Sequence, residues 1–213
     1  MSWWERKWFK ALQGDVTFEA GVTIDDTLDV GGLATVDDLE LSDPNWDDVA
    51  IAISNVKLPA SGAPSWVAYA GVTYLLAFSG TASNTIYFQC QLPHGYKENT
   101  DIEFHIHYIP EDAVAGNVRW EFAYKWGNIG ETFGDTTTAQ TILATPEQSN
   151  WHTLGNITTI TQSGKKISSI LLCALTRTGG DVDDTYNAKD IYLASADFHI
   201  QVNTLGSDTE TVK

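Results

Sequence analysis

Two histidines, His105 and His107, stand two residues apart in the run DIEFHIHYIP. In an extended strand that spacing sends both rings to one side, where paired imidazoles are suited to share a transition-metal ion. Three copies of such a strand around an axis would offer six nitrogens to a single ion. The competing reading is a polar pair on the outward face of a half-buried strand. A second donor set lies in DVDDTYNAKD, where Asp181, Asp183, Asp184, Asn187 and Asp190 supply the oxygen ligands that calcium prefers. That loop lacks the glycine and closing glutamate of an EF-hand, and the competing reading is a solvated acidic loop.

Chemistry beyond ligation is hard to place. The chain contains no Gly-x-Ser-x-Gly elbow, no HExxH run, no phosphate-cradling glycine loop and no cysteine beside a candidate base. With 28 Asp and Glu residues, proximity in sequence singles out no hydrolytic carboxylate pair. The expectation is a chain without catalytic residues or an obligate cofactor. Aromatic rings offer a different activity, since a flat apolar ring with a polar rim suits the face of a sugar. Trp66, Tyr69, Trp126, Trp151 and Tyr186 are the candidates. Trp126 belongs to a strand alternation and is expected in the core, whereas Trp151 and Tyr186, in or beside turn-rich stretches, are the candidate ligand contacts.

The elements that must position these groups are strands. Ile102, Phe104, Ile106 and Tyr108 alternate with Asp101, Glu103, His105 and His107, and Trp120, Phe122, Tyr124 and Trp126 alternate with Arg119, Glu121 and Lys125. Further apolar runs lie at Ile86 to Leu92, Ile167 to Leu175 and Ile191 to Val202, with Pro59, Pro64, Pro93, Pro110 and Pro146 between runs, where a missing N–H harms no ladder. Residues 49–213 are therefore expected to form an antiparallel β-sandwich or jelly roll. Its long loops, GETFGDTTTAQT and TRTGGDVDDTYNAKD, are the expected contact surfaces. The turn-rich SDPNWDD at 42–48 reads as a linker.

Ahead of that linker, residues 14–41 carry a period of six. Val16, Val22, Leu28 and Ala34 recur at that spacing, and Phe18, Ile24, Val30 and Val36 follow two residues behind. Each doublet lies on one face of a very short strand, and glycines and aspartates bend the chain between doublets. A unit this small cannot bury its own apolar face, so it must stack on copies in its own and sister chains. Val16, Phe18, Val22, Ile24, Leu28, Val30 and Val36 are the expected trimerisation residues. In residues 1–13, Trp4, Trp8 and Leu12 fall at i, i+4 and i+8 of a short helix, with Trp3 beside them. Such an apolar load reads as a peg docking into another protein; packing on its own domain and an interfacial membrane helix are the other readings.

A formal charge of −16 argues against nucleic acid or an anionic membrane as partner. At 43% hydrophobic and 19% charged residues the chain is too apolar to be disordered. Cys90 and Cys173 sit in strand-like runs and read as small buried hydrophobes instead of a disulfide. No secretion-type apolar segment or run of about eighteen apolar residues occurs, so assembly in a cytoplasm is expected.

Two resemblances carry the functional expectation. The period-six run resembles the shaft segments of tailed-bacteriophage fibres and spikes, in which three chains wind into a triple β-helix; metal sites at a threefold axis are a feature of such tips. KLPASGAPSWVAY, QLPHGYKENTDIEFHIHYIPED, GNVRWEFAYKWGNIGETF and DDTYNAKDIYLASADFHIQVNTLGS, covering most of residues 56–207, resemble a group of domains in phage virion proteins. The resemblance implies a homotrimeric fibre or spike subunit of the virion. Its N-terminus would anchor to capsid, portal or tail proteins, and its outer domain would meet a host-surface glycan or receptor. A capsid decoration protein and a glycan-cleaving tailspike are the two rivals.

Overall fold

A computed structural model describes residues 40–145, 148–161, 164–186, 188–207 and 209. The docking residues Trp3, Trp4, Trp8 and Leu12, and the trimerisation residues Val16, Phe18, Val22, Ile24, Leu28, Val30 and Val36, lie outside them, as does Asn187. The chain divides after Asp38, and every described residue belongs to the second unit, Leu39–Lys213.

This unit is all-β. Its strands are β1 (Glu40–Ile51), β2 (Ser65–Tyr69), β3 (Thr73–Phe78), β4 (Ser83–Gln91), β5 (Ile102–Pro110), β6 (Gly116–Gly127), β7 (Thr137–Thr145), β8 (Thr153–Ile160), β9 (Ile170–Thr178) and β10 (Ile191–Thr204), with one short 3₁₀ turn at Ile53–Asn55. Every pairing between these strands is antiparallel. The larger sheet runs β2-β3-β10-β5-β8, with β1 also on β10; the smaller runs β4-β9-β6-β7. Consecutive strands thus alternate between sheets from β3 to β6 and again from β7 to β10, except that β6 and β7 are neighbours.

The alternation read in the sequence becomes the core. Ile102, Phe104, Ile106 and Tyr108 of β5 face Val118, Trp120 and Phe122 of β6, and all seven are buried. The sheets meet through rings: Phe104 lies 4.2 Å from Phe122 and 4.8 Å from Phe198, centroid to centroid, and Phe78 meets Trp120 edge-on at 5.2 Å. Offset and edge contacts of this kind add to the burial of the rings themselves. Cys90 and Cys173 are buried free thiols in this core. Burial pushes the Cys90 thiol up to about 12 and raises that of Cys173 as well, which keeps both protonated and unreactive.

The run 42–48 is corrected from linker to strand. It lies within β1, which pairs with β10 from Asn45↔Val202 to Ile51↔Ala196 after a register irregularity following Glu40. Pro44 falls in that irregular stretch of a strand whose only partner among the described residues is β10, so its missing N–H interrupts no central ladder. The aspartates that suggested a turn are the solvent-facing residues of this edge.

Candidate functional site

Pairing across β1, β10, β5 and β8 sets out a polar grid on the outer face of the larger sheet. Opposed residues in an antiparallel pair share a face. Asp197 lies opposite His105, His199 opposite Glu103, and Asp48 opposite His199, while His107 faces Leu154 of β8. The result gathers four of the chain's five histidines with three carboxylates.

The contacts run in a chain. His152 Nε2 lies 2.8 Å from His107 Nδ1, and His107 Nε2 lies 3.3 Å from Asp197 Oδ1. Asp197 Oδ2 is 3.5 Å from His199 Nε2, which is 2.6 Å from Asp48 Oδ1. His105 stacks against His199 with ring centroids 3.9 Å apart, and its Nε2 lies 3.3 Å from Glu103 Oε2. Trp46 closes the end of the row, its ring centroid 6.4 Å from that of His199. Beside His105 and Glu103 a cleft of about 130 Å³ opens, lined also by Asn156 and Thr158.

His105 and His107 thus point to the same side of β5, but each finds different company. His105 is only 4% exposed, since the neighbouring side chains of β10 cover it. Four residues of the grid escaped the sequence reading, and one of them, His152, stands just ahead of β8. Asp197 and His199 stand two apart in β10, the same period-two signature that drew attention to His105 and His107, and Asp48 was hidden in the supposed linker.

The aromatic candidates divide. Trp151 is 54% exposed. It follows Asn150, whose positive φ of 57° turns the chain and whose Oδ1 accepts a hydrogen bond from Tyr69 Oη at 3.0 Å. The Tyr69 ring in turn lies 5.7 Å from that of Tyr192. Burial, followed by the nearby carboxylates of Glu111 and Asp190, pushes the Tyr192 phenol up and keeps it neutral. Tyr69, Asn150, Trp151 and Tyr192 therefore form a rim of rings and amide beside β2 and β10. Trp66 is exposed on β2, and Trp126 packs against the core as expected.

Tyr186 is corrected from ligand contact to structural residue, being 1% exposed. Its hydroxyl donates to Asp112 O at 2.8 Å and accepts from Asp112 N at 2.7 Å, and the Arg177 guanidinium lies 5.9 Å from its ring. The acidic loop around it is largely committed as well. Asp184 takes both Nε and Nη2 of Arg177 at 2.9 Å, with both side chains fully buried. Asp181 pairs with Arg119. A hydrogen bond and charge attraction from Lys189, 2.8 Å away, hold the Asp112 carboxyl low.

No protein-family model and no curated protein matches the chain. Among solved structures it is similar to TmCBM61 in complex with β-1,4-galactotriose, at 12% identity and a TM-score of 0.32, covering 72% of this chain and 86% of that one. It is also similar to dimeric latent PorU from Porphyromonas gingivalis, at 13% identity and a TM-score of 0.35, covering 82% of this chain and 14% of that one. A third is the arabinose-bound MgGH51 α-L-arabinofuranosidase, at 14% identity and a TM-score of 0.33, covering 76% and 25%. The chain thus spans most of the first structure and a quarter or less of the other two.

Proposed function

We propose that this protein is a structural subunit of a bacteriophage particle, a homotrimeric fibre or spike component that acts by assembly and adhesion and not by catalysis. The observation that carries the reading is the period-six run of apolar doublets in residues 14–41, too small to be covered by one copy of the chain. In this reading residues 1–13 form a docking helix that attaches the trimer to capsid, portal or tail. Residues 14–38 form the intertwined shaft ahead of β1, and the sandwich sits outermost.

The sandwich is a jelly roll in this reading. If β3 to β10 are taken as its eight strands, the sheet orders β3-β10-β5-β8 and β4-β9-β6-β7 are those of two nested Greek keys, an arrangement that viral shell and lectin domains both use. Its longest acidic loop is stapled down by Arg177, which favours a rigid presenting body over a moving lid. The exposed ring of Trp151, beside half-buried Tyr69 and Tyr192, supports adhesion, because rings held on a fixed frame lose little entropy on contact with a glycan.

The adhesive element is tested by Trp151→Ala in the full chain on an array of bacterial surface polysaccharides. Loss of a stacking ring is expected to weaken glycan binding by about two- to thirteenfold, from the ~0.5–1.5 kcal/mol that ring contacts contribute. The melting temperature should not move, since the side chain is half exposed. Unchanged binding would remove Trp151 from the contact surface.

A further inference from the structure

The histidine and carboxylate grid has an electrostatic deficit that the fold does not explain. Asp48, Glu103 and Asp197 stand together on one face, and among the described residues their only ion-pair partners are histidines. Asp197 is 4% exposed, and its Oδ1 accepts no hydrogen bond, although His107 Nε2 lies 3.3 Å away. The Nδ1 of His105, also buried, makes no hydrogen bond. A buried carboxylate without a full complement of partners costs several kcal/mol unless a cation compensates it. The chain as a whole carries a formal charge of −16, so its general field adds to the deficit instead of relieving it.

The geometry is that of a ligand set. Ligand atoms of Asp48, Asp197 and His199 lie within 4.8 Å of one another, as do those of Glu103, His105 and His199. His199 belongs to both groups. In a tetrahedral site with bonds of about 2.0 Å, ligand atoms sit roughly 3.3 Å apart. The 3.5 Å between Asp197 Oδ2 and His199 Nε2 already approaches that spacing. The 2.6 Å ion-pair contact between His199 Nε2 and Asp48 Oδ1 must open for an ion to enter. Imidazole mixed with carboxylate favours divalent first-row transition ions over calcium or magnesium.

We propose that this face binds one divalent transition cation of the zinc class per chain, with Asp197, His199 and Asp48 as its ligands. His105, stacked on His199 and paired with Glu103, is the positioning residue that sets the His199 ring. The ligands come from β1 and β10, so the ion cross-links an edge strand to the centre of the larger sheet. This site shares no residue with the aromatic rim, and it does not depend on the virion reading.

The test is titration of the metal-free full chain with Zn²⁺, Co²⁺ and Ca²⁺ by calorimetry and native mass spectrometry. One equivalent of Zn²⁺ is expected, with Co²⁺ bound at the same place and visible in absorption, and Ca²⁺ at least tenfold weaker. Asp197→Asn, close to isosteric, and His199→Gln should each weaken Zn²⁺ binding tenfold or more, whereas His94→Gln, whose ring bonds Ser207 and Ser168 elsewhere, should not. As a readout that needs no variant to fold, the imidazole nitrogen resonances of His199 in the wild-type chain should shift on adding Zn²⁺. Absence of saturable Zn²⁺ binding, preference for Ca²⁺, or undiminished binding by Asp197→Asn together with an unmoved His199 resonance would each overturn the site and leave a metal-free row of ion pairs.

Discussion

Asp184→Ala should destabilise the sandwich by about 3–5 kcal/mol, the cost of leaving one partner of a buried ion pair uncompensated. Both side chains of the pair are wholly buried, and every nitrogen of the Arg177 guanidinium is used. Nε and Nη2 reach Asp184, Nη2 also reaches Tyr186 O at 3.0 Å, and Nη1 reaches Phe78 O at 2.9 Å and Lys189 O at 2.8 Å. Asp184 further accepts from Arg119 N at 3.2 Å. One guanidinium thus joins the end of β3, the strand β9 that bears it, and the middle and C-terminal end of the loop that contains Tyr186. Removing the carboxylate strands a cation in the core, and the loop loses its anchor. Urea denaturation followed by tryptophan fluorescence measures the loss. The companion Asp181→Ala, which removes a partly exposed pair with Arg119, should cost no more than about 1 kcal/mol. Equal effects from the two variants would refute the assignment of Asp184 as the anchor.

Phe104→Ala is expected to cost about 3–5 kcal/mol as well, for a different reason. Phe104 is wholly buried, and its ring meets Phe88, Phe122 and Phe198 at centroid distances of 5.7, 4.2 and 4.8 Å. Phe88 and Phe122 belong to the smaller sheet and Phe198 to the larger, so truncation opens a void on the seam between the sheets. Close-packed interiors collapse only partly into such a void, and the cost is transfer energy plus the cavity. Phe104→Leu keeps most of the volume and should lose less than half as much on the same denaturation curve. If the alanine and leucine variants unfold at the same denaturant concentration, the seam is not packed as described.

These two sites also mark what could and could not be read from the residues alone. Phe104 was legible because β5 alternates strictly, and a period of two is a local property that reports which side of a half-buried strand faces inward. Arg177 and Tyr186 were not, because their burial is decided by each other across the loop. A tyrosine and three aspartates among glycines look like solvent-facing turn material until an arginine from the preceding strand folds beneath them. The same holds for the grid on the outer face. His105 and His107 announced themselves by spacing, but Asp197, His199 and Asp48 arrive from strands at the far ends of the unit, and strand order is a tertiary fact. Residues 42–48 failed for the opposite reason. Proline and aspartate signal a turn locally, and only the edge position of β1 makes them tolerable in a strand. The exposure of Trp151 was legible because a turn beside a strand start gives a large ring nowhere to bury.

The virion reading stands on the claim that the apolar doublets at residues 14–41 are covered by sister chains. Sedimentation equilibrium of the full chain across the micromolar range, beside a version lacking residues 14–38 that keeps β1 whole, measures this directly. Three copies per particle are predicted for the full chain and one for the shortened chain. A full chain that sediments as a single copy throughout that range would contradict the claim.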